Sequence, residues 1–200
     1  MSVFSTFCEW RLSQSLCRAY DKNTARLFLI LSGTSAGMFT ASVAFLPSSY
    51  AMDYIMLAVG EMVETESSTF QRGCVLFSLA GILGWPFSLT IAVPYVCFPL
   101  FSGPMNAKVL FISFCKAGSA VLVLTFIIIA IDSIFYRRFE FVAFNIINYN
   151  IFSTPSTGPA IFGTEPWWFY GANLSLMFNL LVPIAACSGP ILVGFSLSKL

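Results

Sequence analysis

Long apolar segments are the feature that most restricts how this sequence can fold. The segment from Val109 to Ile131 carries a single charged residue, Lys116, and a membrane-spanning helix needs roughly 20 apolar residues. We expect Lys116 to extend along its aliphatic stem toward the nearer membrane boundary. Only 10% of the 200 residues are charged, whereas charged residues make up about a quarter of a soluble domain. The sequence therefore predicts an all-α, multi-pass transmembrane helical bundle.

The apolar segments are separated by turn residues and by one long polar interval. Gly84-Trp85-Pro86 interrupts the apolar run at 74–101, because proline lacks a backbone donor, and predicts either two short helices or a re-entrant hairpin. Asp53 lies on a predicted helix that follows the turn at Pro47. The expected organisation is a cytosolic or interfacial segment at 1–26, transmembrane helices across 27–131 with a broken pair at 74–101, one long loop at 132–167, and a transmembrane helix at 168–198.

The distribution of basic residues predicts which side of the membrane the long loop faces. If 132–167 lies outside the cytosol, only Arg137 and Arg138 share its side. The bias of basic residues toward cytosolic connections favours this orientation, and it requires 74–101 to enter and leave on one side. Seven basic residues then fall on the cytosolic side: Arg11, Arg18, Lys22, Arg26, Arg72, Lys108 and Lys199.

Several kinds of site are disfavoured by the composition. The chain has no histidine, which excludes Ser-His-Asp and Cys-His schemes and disfavours a zinc centre, so we expect no metal and no cofactor. The six cysteines lack CxxC spacing, and most lie in apolar segments, where a reduced cysteine acts as a small hydrophobic residue. The net charge of +1 and the absence of a basic patch argue against a nucleic-acid partner.

The interval from Asp132 to Tyr170 is the place to look for chemistry, because long loops between spans are uncommon unless they are functional. Asp132 emerges from an apolar segment, and it either orients or deprotonates a substrate hydroxyl or pairs with a neighbouring arginine. Arg137 and Arg138 suit either the phosphate of a lipid-linked substrate or the lipid headgroups of the membrane.

The run from Glu165 to Trp168 combines a carboxylate with rigid aromatic rings. Sugars stack on such rings and donate hydrogen bonds to a carboxylate. The alternative is the aromatic belt that marks membrane interfaces. Glu165 and Trp167 are therefore candidates for substrate binding, with the interface belt left open as the other reading.

Five strings occur in an order and spacing that resemble a known family. They are Ala44 to Ser49, Gly81 to Phe87, Ile131-Asp132-Ser133 with Tyr136, Asn145 with Tyr149-Asn150, and Gly163 to Trp167 with Phe169-Tyr170. From about Leu16 to Asn179 the chain resembles glycosyltransferase family 22, the dolichyl-phosphate-mannose-dependent mannosyltransferases of the endoplasmic reticulum. Within it, the resemblance is to the α-1,2-mannosyltransferases of N-glycan precursor assembly.

The resemblance implies a multi-pass protein of the endoplasmic reticulum membrane whose 132–167 loop is luminal. It implies dolichyl-phosphate mannose as donor, a lipid-linked oligomannose as acceptor, contact with membrane lipids, and inversion from a β-linked donor to an α product. The substrate-binding candidates are then Asp132, Tyr136, Arg137, Arg138, Glu165 and Trp167.

The resemblance also predicts what this chain lacks. The family's presumed catalytic acids lie in a first luminal loop upstream of the matched region, so we expect a middle portion of the enzyme whose catalytic residues lie outside this chain. The sequence departs from the family at Arg137-Arg138, where Gly-Lys is usual, and at Ala160, where an acid is usual. Two alternatives are a mannosyltransferase acting on a glycosylphosphatidylinositol precursor and a non-enzymatic multi-pass membrane protein.

Overall fold

The structure is a computed structural model that describes residues 1–64, 66–102, 106–154, 156, 158, 161, 163, 165–179 and 181–197, with side chains except at 102 and 192–197. These residues are almost entirely helical and contain no strand. The α-helices are α1 (Ser2–Ala19), α2 (Lys22–Thr34), α3 (Ala36–Val43), α4 (Pro47–Met62), α5 (Ser67–Leu79), α6 (Ala92–Ser102), α7 (Ala107–Tyr136), α8 (Val142–Ile147), α9 (Trp167–Phe178) and α10 (Leu181–Leu197).

Helix α1 packs along the length of α4, and the two run in the same direction. The Phe4 and Tyr54 rings meet with centroids 5.8 Å apart near the helix starts, and Arg18 pairs with Glu64 at 2.5 Å near the ends. Between them, a Cβ on Gly60 would lie 3.3 Å from the Ser15 hydroxyl oxygen. Residues that the sequence placed in a separate interfacial segment are therefore part of the bundle.

Small residues explain this packing of α1. Its buried side chains include Ser5, Cys8, Leu12 and Ser15, which recur at the three- and four-residue spacing of one helix face. Two of the charges in the predicted cytosolic or interfacial segment at 1–26 pair with residues near the C-terminal end of α4: the Arg11 guanidinium lies 3.5 Å from Glu61, and Arg18 pairs with Glu64. Their partners on α4 come from a distant part of the sequence.

Helices α4 and α5 are antiparallel and approach closely at glycines. A Cβ on Gly84 would lie 2.7 Å from the Ala51 backbone nitrogen, and one on Gly73 would lie 2.8 Å from the Met62 side chain. Between these contacts, Phe77 is buried against Ala58. The N-terminal end of α4 therefore lies next to the end of the α5 arm.

The chain breaks at Trp85. A π-helical turn, Ala80–Gly84, continues α5, and a 3₁₀ segment, Pro86–Ile91, leads into α6. Proline disfavours a helical conformation at the residue before it, and Trp85 is extended at φ −120°. Helix α6 folds back beside α5, with the Phe77 and Tyr95 rings 5.8 Å apart.

Helix α7 is the longest element and begins parallel to α5. The Gln71 side-chain amide donates to the Ser113 hydroxyl at 3.2 Å, and the Phe70 and Phe114 rings meet edge to face at 5.2 Å. Thirty residues rise about 45 Å. The helix continues through Asp132, the first residue of the predicted 132–167 loop, to Tyr136, because no glycine or proline interrupts it.

Two apolar pairs of helices are bent, and the second pair lies where the sequence predicted one transmembrane helix at 168–198. Helices α2 and α3 meet at 76°, and α9 and α10 at 102°. At the first bend the Ser35 side chain caps α3 by accepting from the Met38 N–H at 3.4 Å. By length and composition, one described helix is able to cross a membrane, or up to three if each bent pair is a single span.

Asp21 caps the N-terminus of α2, just after the end of α1. Its carboxylate accepts the Thr24 backbone N–H at 2.7 Å, and this hydrogen bond lowers the pKa of the Asp21 carboxyl. The cap fixes where α2 begins, so the chain reverses direction immediately after α1.

Candidate functional site

A cleft of about 430 Å³ lies where three parts of the chain meet. They are the break at Trp85, the end of α7, and the helical segment 142–152. The contacts of α8 with the two short helices that flank Trp85 hold these parts together. The cleft is lined by Trp85, Tyr136, Glu140, Val142, Asn145, Ile146, Tyr149 and Asn150.

The chain reverses direction between α7 and α8 to form this cleft. Arg137 ends α7 in the left-handed region at φ 54°, a conformation that caps helices. The Glu140 backbone N–H then donates to the Ser133 hydroxyl at 3.1 Å, which ties the returning chain to α7. Tyr136 and Glu140 both line the cleft as a result.

One face of the helical segment 142–152 lines the cleft. Asn145 and Tyr149 are four residues apart, as are Ile146 and Asn150, and side chains at that spacing share a face. Helix α8 passes into a π-helical turn, Asn148–Phe152, that extends this face. The Asn150 side-chain amide donates to the Ile146 carbonyl at 2.8 Å, which fixes its orientation.

Glu140 supplies the only carboxylate among the lining residues, and both of its oxygens have partners. One oxygen accepts from the Arg138 guanidinium at 2.7 Å, and the other accepts from the Asn145 side-chain amide. The Glu140 side chain is 12% exposed, whereas that of Arg138 is 71% exposed. The carboxylate is thus held rigidly in the wall, with the guanidinium on its outer side.

A second, larger cleft of about 740 Å³ lies at the opposite end of α4. Its walls include Phe70, Tyr95 and Phe98, and the Arg18–Glu64 ion pair lies at one side. Most of this lining is apolar, and Arg18 and Glu64 neutralise each other, whereas Glu66 makes none of the ion pairs found among the described residues. The smaller cleft is the candidate site because its lining combines the Glu140 carboxylate and two amide side chains with three aromatic rings.

Comparison with known proteins identifies the family. Residues 1–199 match the sequence profile of the Alg9-like mannosyltransferase family. The chain belongs to this family. The resemblance to glycosyltransferase family 22 that was drawn from five strings is therefore confirmed. No solved structure matches the chain.

The most similar members of the Alg9-like family include enzymes of fission yeast, budding yeast and human. The chain is 36% identical over 194 residues to alpha-1,2-mannosyltransferase alg9 of Schizosaccharomyces pombe, covering 96% of this chain and 34% of that protein. Identity to the Saccharomyces cerevisiae ALG9 is 33% over 198 residues, covering 94% and 35%. Identity to the human ALG9 is 34% over 186 residues, covering 92% and 29%. The chain spans about a third of the length of these relatives.

Of the residues predicted for substrate binding in this Alg9-like chain, Tyr136 lines the cleft directly. Arg138 reaches it through Glu140. Asp132 lies one helical turn before Tyr136, is half-buried, and makes none of the ion pairs found among the described residues. The pairing of Asp132 with Arg137 or Arg138 is therefore absent there, and Arg138 pairs with Glu140 instead.

The structure does not bring Glu165 and Trp167 into the cleft. Both are exposed, and the Trp167 side chain is 85% exposed at the start of α9. Helix α9 contacts the rest of the chain through its other end, where the Ser35 hydroxyl donates to the Met177 carbonyl at 3.3 Å. Ala160, the other departure from the family, lies outside the described residues.

Sequence reasoning did not select Glu140, Asn145, Tyr149, Asn150 or Trp85 as site residues. All but Glu140 lie in the strings that carried the resemblance, so these residues were noticed for their order and none was selected as a site residue. The four-residue spacing of Asn145 and Tyr149 is a signal that would have placed them on one face. Within the described ranges, no three Asp, Glu, Cys or His side chains are grouped to hold a metal.

Proposed function

We propose that this chain is part of a multi-pass mannosyltransferase of the endoplasmic reticulum membrane. It acts in N-glycan precursor assembly, transferring mannose from dolichyl-phosphate mannose to a lipid-linked oligomannose acceptor. Membership of the Alg9-like family across 1–199 supports the reaction class, and the names of the relatives, alpha-1,2-mannosyltransferases, support an α-1,2 linkage. The observation that carries the proposal is the aromatic and polar cleft at the end of the longest apolar helix.

The lining of the cleft suits a sugar. The rings of Trp85, Tyr136 and Tyr149 provide apolar faces for the C–H side of a hexose. The amides of Asn145 and Asn150 and the Glu140 carboxylate provide donors and acceptors for its hydroxyls. Binding sites for small ligands combine mostly apolar walls with a few fixed polar groups in this way.

The transfer requires two lipid-linked substrates to meet. An acceptor hydroxyl attacks C1 of the donor mannose, the bond from C1 to the phosphate oxygen breaks, and dolichyl phosphate leaves. A general base takes the hydroxyl proton, and we place that base outside this chain. Asp132, Glu165 and Trp167 are proposed supporting contacts, and the exposed Arg137 is a proposed contact for the donor phosphate.

The sidedness of the cleft follows from the charges at the two ends of the bundle. Arg11 and Arg72 both pair with Glu61, and Arg18 pairs with Glu64, near the C-terminal end of α4. The cleft lies at the other end of α4, where Gly84 meets Ala51. Ten residues of helix separate Ala51 from Glu61, a rise of about 15 Å. The clustered basic residues mark the proposed cytosolic end, and the cleft then faces the lumen.

Glycosylation tagging tests this orientation. An N-glycosylation acceptor site inserted beside Ser156 is expected to be modified in microsomes, and one inserted beside Ser67 is expected to remain unmodified. The reason is that Ser156 follows the cleft and Ser67 begins α5 at the basic end. Modification beside Ser67 with none beside Ser156 contradicts the luminal assignment.

A chimera tests the function. This chain replaces the matching segment of the Schizosaccharomyces pombe alg9 protein, and microsomes receive labelled dolichyl-phosphate mannose and a lipid-linked oligomannose acceptor. We expect transfer of a mannose that an α-1,2-mannosidase removes, because the segment then supplies its own cleft to a complete enzyme. A chimera that is inserted correctly and resists protease like its parent, yet transfers no mannose, contradicts the proposal.

A further inference from the structure

None of the described residues that line the cleft around Glu140 carries a positive charge. Glu140 is the only one of them with a formal charge, and the neighbouring Arg138 is already held by that carboxylate. A phosphate bound here would be repelled by the Glu140 carboxylate, because the balancing positive charge of Arg138 lies on the outer side of the cleft wall. A neutral, hydroxyl-rich group would meet no such repulsion.

The Glu140 carboxylate is also prepared to accept further hydrogen bonds. Each carboxylate oxygen has about two acceptor positions, and each is used once, by Arg138 or by Asn145. One position on each oxygen is left for a substrate hydroxyl. Because the carboxylate is held from both sides and is 12% exposed, little side-chain freedom is lost when a ligand binds.

The walls provide the rest of such a site. The aromatic side chains of Tyr136 and Trp85 line the cleft, and the Asn150 amide is oriented by its bond to the Ile146 carbonyl. The volume of about 430 Å³ lies within the usual range for small-ligand sites, about 300–1,000 Å³. The cleft thus has room for a sugar unit rather than a water alone.

We propose that Arg138, Glu140 and Asn145 form the binding site for a terminal sugar of the acceptor, and that the donor phosphate binds elsewhere. This inference rests on the proposed mannosyltransferase function. Glu140 is the residue that binds the acceptor hydroxyls, and Arg138 is a positioning residue that acts through Glu140. The cleft distinguishes the two substrates by charge: the terminal sugar of the acceptor carries no phosphate, whereas the donor mannose is joined directly to one.

Separate titrations of the two substrates test the proposal in the chimera. Glu140→Gln is expected to raise the KM for the lipid-linked acceptor about 10- to 150-fold, the loss of a charge-assisted hydrogen bond. The KM for dolichyl-phosphate mannose and kcat are expected to stay within about threefold. Arg138→Gln keeps a neutral donor beside Glu140, and we expect a smaller rise in the acceptor KM with the donor KM unchanged.

Glu61→Gln is the matched control. The Glu61 side chain is 15% exposed and pairs with two arginines, Arg11 and Arg72, at the opposite end of α4. Its substitution removes a similarly buried, paired carboxylate that is far from the cleft. Both KM values are expected to stay within about twofold of those of the unsubstituted chimera.

Several results of these titrations would contradict the acceptor-site proposal. A rise in the donor KM with an unchanged acceptor KM, in either cleft variant, overturns the proposal and makes the cleft a donor site. Unchanged KM values for both substrates in Glu140→Gln also overturn it. If Glu140→Gln fails to insert, the KM values of Arg138→Gln decide. An unsubstituted chimera that transfers no mannose refutes the proposed function itself. That result is distinguishable from failure of the acceptor-site proposal, which requires an active unsubstituted chimera.

Discussion

Replacing Gly84 by alanine is expected to destabilise the chimera by about 1–3 kcal/mol, the usual cost of overpacking. An added Cβ would lie 2.7 Å from the backbone nitrogen of Ala51 and 2.9 Å from its Cα. Backbone atoms cannot rotate away as a side chain can, so the end of the α5 arm must move from α4. Because Trp85 follows directly, mannosyl transfer is expected to fall as well.

Thermal unfolding of the detergent-solubilised chimera measures this effect, and Gly73→Ala is its control. A Cβ on Gly73 would lie 2.8 Å from the Met62 side chain, which is flexible and can move aside. We therefore expect Gly73→Ala to cost clearly less than Gly84→Ala. Equal unfolding temperatures for the two variants would show that the close approach of α4 and the α5 arm is not maintained in the full protein.

Local signals in the sequence were sufficient for several elements of the fold. The apolar length around Val109–Ile131 predicts a long helix, and α7 contains it. Gly84-Trp85-Pro86 predicts an interruption, and the helix breaks at Trp85 because proline acts on its immediate neighbour. Such effects are contained within a few residues and do not depend on the rest of the chain.

Effects that depend on distant partners were not predictable in the same way. Arg11 and Arg18 made the first 26 residues resemble an interfacial segment, but Glu61 and Glu64 neutralise them inside the bundle. The bend at Ser35 likewise involves a contact with Met177, far along the chain. Hydropathy along the sequence contains no information about these pairs.

The candidate site was also predictable from the sequence only in part, because some of its features depend on distant partners. The sequence directed attention to the region from Asp132 onward, and two of the residues that it selected lie at the cleft: Tyr136 lines it, and Arg138 donates to the lining residue Glu140. It did not identify Glu140 as a site residue, because the contribution of Glu140 depends on being held by Asn145 and on lying opposite Trp85. Trp85 belongs to a different helical arm, and the sequence placed its turn on the same side of the membrane as the 132–167 loop without selecting Trp85 as a site residue.

Trp85→Leu is expected to lower mannosyl transfer by the chimera about 30-fold. The Trp85 ring lines the cleft and is 38% exposed, and its backbone is fixed by the hydrogen bond from its N–H to the Ala80 carbonyl at 3.0 Å. Leucine keeps an apolar side chain but removes the flat face on which a sugar would stack. Tryptophans that a bound ligand covers commonly contribute about 2 kcal/mol, which corresponds to that factor.

Trp10→Leu is the control for this change. Trp10 is 50% exposed and contacts Phe7 with ring centroids 5.9 Å apart, much as Trp85 contacts Phe87 at 5.8 Å. It lies on α1 and outside the cleft, so its replacement tests the loss of an exposed tryptophan as such. Transfer by this variant is expected to stay within about twofold of the parent chimera.

The most direct measurement of the central claim is therefore the rate of labelled mannose transfer, normalised to correctly inserted protein, for these two variants and Trp167→Leu. A large loss in Trp85→Leu with little loss in Trp10→Leu is the predicted result and places the sugar in the cleft. Full transfer by Trp85→Leu together with loss of transfer by Trp167→Leu would contradict it, and would place the sugar at the Glu165-Pro166-Trp167 segment instead.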